Sequence, residues 1–363
     1  MALDVPAGAV ARPGRVNAHT HLYSGLAPLG MPAPEPEPTC FVEILDRVWW
    51  RLDRALDRDT LRASARLYVA EALLKGTTTL VDHHESPNFI SGSLDVLAEA
   101  VDALGARALL TYGATDRNGG LEEGQRGLDE CRRFIASNQS SRIRGLVGLH
   151  ASFTVSDETI RAAAALCQEL GVPMHVHVAE DHADVADARE RGYAGPLERL
   201  VELGALPAGS IIAHGIYLDA NQVRRGADLG CWFVQNPRSN EGNNVGYATN
   251  LRASDRVALG TDGWPADMPA ELDALRRLGA PHGDHEGLCL LRAQRGARLV
   301  AEHFGGIELA DTVVFDADQR VRSVVVDGVE VVRDGALVHG NIEVIRSEAR
   351  GAAHELWARM SAL

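Results

Sequence analysis

Short runs of Val, Ile, Leu and Thr recur along the chain, each followed by a longer stretch whose apolar residues return every three or four positions. The runs "RVNAHTH" (15–21), "TTTLVDHH" (77–84), "ARALLTYG" (106–113), "RGLVGLH" (144–150), "VPMHVHVA" (172–179), "SIIAHG" (210–215), "GCWFVQN" (230–236) and "RVALGTD" (256–262) predict eight strands. The stretches 61–76, 93–105, 157–171, 196–204 and 220–230 predict helices between them, the third with Ser156 as its N-cap and Gly171 just past its end. Strands that alternate with helices pair in parallel through right-handed crossovers, and eight such units over about 250 residues is the length of a closed barrel. The reading is an α/β fold, a (β/α)8 TIM barrel. No glycine fingerprint follows the first strand, which disfavours an open doubly wound sheet.

After residue 305 the texture changes to alternating valines broken by "DADQ", "DG" and "RDG", a pattern of antiparallel hairpins. The chain therefore divides into a barrel over 13–304, a small β appendage from 1–12 and 305–345, and a C-terminal helix over 346–363. The appendage is expected to be a reduced β-sandwich built from both ends of the chain. The stretch 287–305 predicts the last barrel helix, and the proline-rich 27–38 a loop at the barrel rim.

Composition narrows the function. A chain of 363 residues with 45% hydrophobic and 24% charged residues is ordinary for a soluble protein, and no apolar run approaches the roughly 20 residues of a membrane span. A net charge of −14 argues against nucleic acid or an anionic membrane as partner and suits a small neutral or cationic substrate. The N-terminal stretch does not read as a secretory signal, and the five cysteines contain no CxxC, so reduced thiols in the cytoplasm are expected.

In a parallel barrel, catalytic groups come from the C-terminal ends of strands. Here those ends carry His19 and His21, His83 and His84, His150, His175 and His177, His214, and Asp262. His19, His21, one histidine of the fifth strand and Asp262 make a three-histidine, one-aspartate set that leaves a position open for water, as at a catalytic Zn²⁺ or Fe²⁺ site. His177 is favoured over His175 because it shares its strand end with Glu180. His175 is then deeper packing or support.

The segments "NAHTHLY", "HVHVAE", "IIAHGIYL", "QNPRSNEGNNVG" and "GTDGWPAD" resemble the motif series of the amidohydrolase superfamily, in its cytosine-deaminase-like branch of aminohydrolases and chlorohydrolases. "FVEILDRVWWRLDRAL", "DHHESPN" and "GLHASFTVSDET" bring the likeness near the aminohydrolases linked to selenium metabolism and the 8-oxoguanine and guanine deaminases. The likeness spans roughly residues 13–268. It implies that His19, His21, His177 and Asp262 bind one divalent metal, with zinc ahead of iron(II). It further implies that Glu180 moves protons, that His214 polarises the group under attack, that Asp262 takes a proton from water, and that His150 contacts substrate. Lys75, the one lysine of the chain, sits in a helix before the second strand, so a lysine-bridged pair of metals is excluded.

Further substrate contacts are expected from His83 or His84, of which only one can face the interior, from Trp264 by stacking, and from Asn236. Asn236 and Asn240 are expected to fix turns in a loop over "NPRSNEGNNVG". Trp49 and Trp50 are expected to pack in the core or at the rim. The resulting function is metal-dependent hydrolytic deamination of a purine-, pterin- or pyrimidine-like heterocycle. The alternatives are dechlorination of a triazine-like ring and hydrolysis of a cyclic amide or imidazolone; an inactive metal-binding scaffold is disfavoured by Glu180, His214 and Asp262 together. A shortened appendage exposes strand edges, which a homodimer would cover.

Overall fold

A computed structural model describes residues 8–363. Its strands are β1 (Val10–Pro13), β2 (Arg15–Thr20), β3 (Thr77–Asp82), β4 (Arg107–Leu110), β5 (Gly113–Ala114), β6 (Ile143–Gly145), β7 (Val147–Ala151), β8 (Met174–Val178), β9 (Ile211–His214), β10 (Trp232–Gln235), β11 (Val257–Leu259), β12 (Thr312–Phe315), β13 (Val321–Val326), β14 (Val329–Arg333) and β15 (Ala336–Leu337). Two sheets are parallel throughout, one ordered β2-β3-β4-β6 and the other β11-β10-β9-β8-β7-β5. The third and fourth expected strands are each split in two, which divides the parallel strands between the sheets.

The two sheets touch at both edges. On one side the Leu146 N–H donates to Leu110 O at 2.9 Å and His84 bridges Tyr112. On the other, the N–H groups of Thr261 and Asp262 both donate to His19 O at 3.0 Å, and Thr20 bridges Asp262. A Cβ on Gly260 would lie 2.6 Å from His19 O, so only glycine allows the backbones this close.

Helices cover the outside, among them Arg58–Leu74, Ser93–Leu104, Leu121–Ser137, Asp157–Leu170, Ala220–Asp228, Met268–Gly279 and Glu286–His303. Ser156 caps Asp157–Leu170 and Gly171 ends it in the left-handed conformation, as its sequence requires. One apolar plug takes Val16, Val81, Leu109, Ile211 and Val234 from the strands, Leu146 from between β6 and β7, and Leu299, Val300 and Phe304 from the last of these helices and the residue after it. The C-terminal helix starts at Ile342, ahead of the expected 346, because the Asn341 side chain accepts from the Glu343 and Val344 N–H groups. It lies on Arg58–Leu74 through Arg346–Glu71 and Arg66–Glu348 ion pairs.

The rest forms one five-stranded antiparallel sheet, β1-β12-β13-β14-β15, in which Val10 lies opposite Phe315. Residues 1–7 of the expected appendage lie outside the described residues. Among the described residues no helix is long and apolar enough to cross a membrane.

Candidate metal centre and active site

On β8, Met174, Val176 and Val178 face the outer apolar core, and the opposite parity turns His175 and His177 towards the other histidines. β2 does not alternate simply. Its pairing steps from Asn17–Leu80 to Thr20–Asp82, one more residue on β2 than on β3, which gives a bulge at the HxH. β7 carries a second bulge at His150, between Leu149 and Ala151. Three non-glycine residues at strand ends, Ala179, His214 and Asp262, hold positive φ of 52, 72 and 54°. Backbone strain of this kind is kept where surrounding contacts over-determine it.

One ligand atom each from His19, His21, His177 and Asp262 lies within 4.8 Å of all the others, and all four residues are buried. The His21 Nδ1–H donates to His83 O at 2.5 Å and the His177 Nδ1–H to His150 O at 2.6 Å, so each ring turns its Nε2 towards the ligand set. His19 Nδ1 is occupied by His175 Nε2 at 2.9 Å, and its Nε2 lies 3.2 Å from Asp262 Oδ1. His21 Nε2 lies 2.8 Å from the same oxygen. Burial pushes the His19 pKa down to about 3 and that of His177 well below 6.5. Burial also pulls on His21, but its hydrogen bond to Asp262 and that carboxylate's charge raise it to about 9. Three imidazoles and one carboxylate converging in a buried space fit a divalent cation.

Glu180, His214 and Asp262 form an adjoining cluster. The His214 Nδ1–H donates to Asn240 Oδ1 at 2.9 Å, and its Nε2 stands 3.5 Å from Glu180 Oε2. Burial, and then the Asp262 charge, push the Glu180 carboxyl well above the usual range, while burial lowers His214. The expected loop over 237–246 is in part a short helix, Pro237–Gly242, started by proline at its first turn. It acts as a bracket: the Ser239 hydroxyl donates to Asp262 Oδ2, Asn240 holds His214, and Asn243 Nδ2 reaches Glu180 Oε1 at 3.5 Å.

A model of the amidohydrolase family matches residues 10–331. The chain belongs to the amidohydrolase family. A 5-methylthioadenosine/S-adenosylhomocysteine deaminase of Thermococcus sibiricus is 30% identical over 85% of this chain and 74% of that protein. An 8-oxoguanine deaminase of Pseudomonas aeruginosa is 29% identical over 70% of this chain and 60% of that protein. The fold matches a zinc-bound adenosine deaminase from Xanthomonas campestris with a TM-score of 0.83 and 23% identity, covering 96% of this chain and 86% of the other. A zinc complex of the atrazine chlorohydrolase of Arthrobacter aurescens matches with a TM-score of 0.79 and 22% identity, over 95% and 88%.

In this amidohydrolase a cavity opens over the ligand set, lined by His21, His177, Glu180 and Asp262. His150 also lines it, with Nδ1 2.9 Å from Thr154 Oγ1. The other expected substrate contacts are not brought to its wall. His83 lies inside, its Nε2–H donating to Leu149 O and its Nδ1 2.7 Å from Glu85 Oε1, whereas His84 turns away to Ser86. Trp264 packs over Gly242, and Asn236 is buried behind His214 with its Nδ2 3.4 Å from Nδ1. Trp49 and Trp50, expected in the core or at the rim, form part of the wall. So do Asp53, Glu85, Arg117 and Asn243, which sequence reasoning missed. Asp53 shares a helical face with Trp49 and Trp50 at spacings of four and three, a signal that was available; Glu85 and Arg117 carry none.

Proposed function

We propose that this amidohydrolase is a zinc-dependent deaminase that hydrolyses an amino group from an N-heterocycle and releases ammonia. The observation that carries the reading is the cluster of Glu180, His214 and Asp262 at the edge of the ligand set, in which burial and the Asp262 charge raise the pKa of the half-buried Glu180 carboxyl. When bound at His19, His21, His177 and Asp262, a divalent cation supplies Lewis acidity and an activated water. Asp262, steadied by Ser239, is the carboxylate in reach to take that water's proton. Glu180 delivers a proton to the ring nitrogen next to the carbon attacked, which makes that carbon electrophilic. His214, its Nδ1–H committed to Asn240, keeps Nε2 for the tetrahedral centre. His150 contacts the substrate ring. Ammonia needs an acid to leave and chloride does not, so a Glu180 carboxyl whose pKa is raised favours deamination over dechlorination.

The contacts at both sheet edges support reading the two parallel sheets as one closed (β/α)8 barrel over 13–304, with 305–345 as appendage. The deaminases among the relatives support the reaction class. The test is ammonia release from the zinc-loaded protein with 8-oxoguanine, guanine, 5′-deoxyadenosine and cytosine. Turnover of any of them is expected; bound zinc with no ammonia from all four contradicts the proposal.

A further inference from the structure

The cavity has a second pole that the proposed chemistry leaves unused. Asp53, from the helix Trp50–Ala55, Glu85, just past β3, and Arg117, just past β5, line it together. Asp53 is 1% and Glu85 2% exposed, and the Arg117 side chain 7%. Arg117 Nη2 pairs with Asp53 Oδ2, and its guanidinium lies 5.0 Å from the Trp50 ring. Much is left over. Asp53 Oδ1, Glu85 Oε2, Arg117 Nε and Nη1, and Trp50 Nε1 are buried and make no hydrogen bond. Native proteins satisfy nearly all such groups, so this concentration of orphans in a cavity wall marks where a ligand's polar atoms belong.

The chemistry of the orphans says which atoms. Glu85 Oε1 faces His83 Nδ1 at 2.7 Å and Asp53 Oδ2 faces Arg117, which leaves Asp53 Oδ1 and Glu85 Oε2 as acceptors, and a carboxylate accepts N–H groups well. The guanidinium donors need a carbonyl oxygen. Tyr23, Phe41, Trp49, Trp50 and Phe153 line the same cavity and suit a flat ring. We propose that Asp53, Glu85 and Arg117 form a substrate-specifying pole for a heterocycle whose far edge carries ring N–H groups beside a carbonyl, as in a cyclic urea. The carboxylates accept the N–H groups and Arg117 donates to the carbonyl oxygen. This rests on the deaminase reading for the orientation of the ring, with the carbon under attack at the ligand set.

The probes are 8-oxoguanine, which has that edge, and guanine, which lacks its carbonyl. Binding is followed by tryptophan fluorescence on the zinc-loaded Glu180→Gln protein, so that no turnover intrudes. 8-Oxoguanine is expected to bind about ten-fold or more tightly than guanine, and adding Glu85→Gln or Asp53→Asn to erase most of that ratio. Both substitutions keep shape, and zinc content and thermal midpoint are measured on each. Equal binding of the two probes, or a ratio unchanged in both variants at full zinc content, overturns the pole. Ammonia release from the parent enzyme reads the deaminase proposal separately. Turnover with an unchanged ratio sinks the pole alone, and a Glu85-dependent ratio without ammonia upholds it alone.

Discussion

His214 Nδ1 lies 2.9 Å from Asn240 Oδ1. An amide oxygen only accepts, so the imidazole carries its hydrogen on Nδ1 and presents a bare Nε2 to the cavity, 3.5 Å from Glu180 Oε2. The short helix after β10 thus sets the tautomer of a residue at the end of β9. Asn240→Leu is expected to lower kcat about ten-fold or more with little change in zinc content. Asn240→Asp, which still accepts from Nδ1, is expected to recover most of the rate and shift its pH profile. Steady-state kinetics across pH on the two variants check this.

Glu180 is the proton carrier of the account. Glu180→Gln keeps the shape and the ligand set and removes the proton, so the variant is expected to hold zinc and lose about 10²- to 10⁴-fold in kcat. Ammonia-coupled assays alongside metal analysis separate the two effects.

The pH dependence has a definite sign. Burial and the neighbouring Asp262 charge raise the Glu180 pKa, which favours its protonated form. The rate needs that form, so kcat is expected to hold through the ordinary carboxylate range and to fall as pH rises through the elevated value. The residual rate of Glu180→Gln is expected to lack that fall. A kcat that instead rises with pH through the same window would reverse the assigned roles.

Asp184 is 2% exposed and accepts from the Ala179 N–H at 2.7 Å and the Phe153 N–H at 3.1 Å. It ties the loop that carries Glu180 to the one that follows His150. Asparagine offers one acceptor oxygen in place of two, so Asp184→Asn leaves a buried donor orphaned, at about 1–3 kcal/mol. Urea unfolding of the zinc-loaded protein measures the loss.

The parallel strands were legible as short apolar runs, most of them with a polar residue at the end, and His177 was preferred to His175 for its neighbour Glu180. The structure adds the reason: His175 Nε2 is taken up by His19 Nδ1. The bulges at β2 and at His150 were not legible, since one extra residue in a pairing leaves no compositional trace. "NPRSNEG" reads as a loop on propensity, yet proline at the first turn and three side-chain contacts to Asp262, His214 and Glu180 stabilise a helix there. Trp264 was expected to stack on a substrate ring, but it packs over Gly242 away from the cavity wall. The cavity wall of Asp53, Glu85 and Arg117 joins a helix and two loops that only the fold brings together.

The most direct test of the central claim is the zinc content of the purified protein by plasma mass spectrometry, compared with Asp262→Ala, His177→Ala and His175→Ala. One equivalent is expected in the parent, near zero in the first two, and a retained ion in His175→Ala. Zinc held undiminished after loss of Asp262 and of His177 would contradict the convergence of these four side chains on one ion.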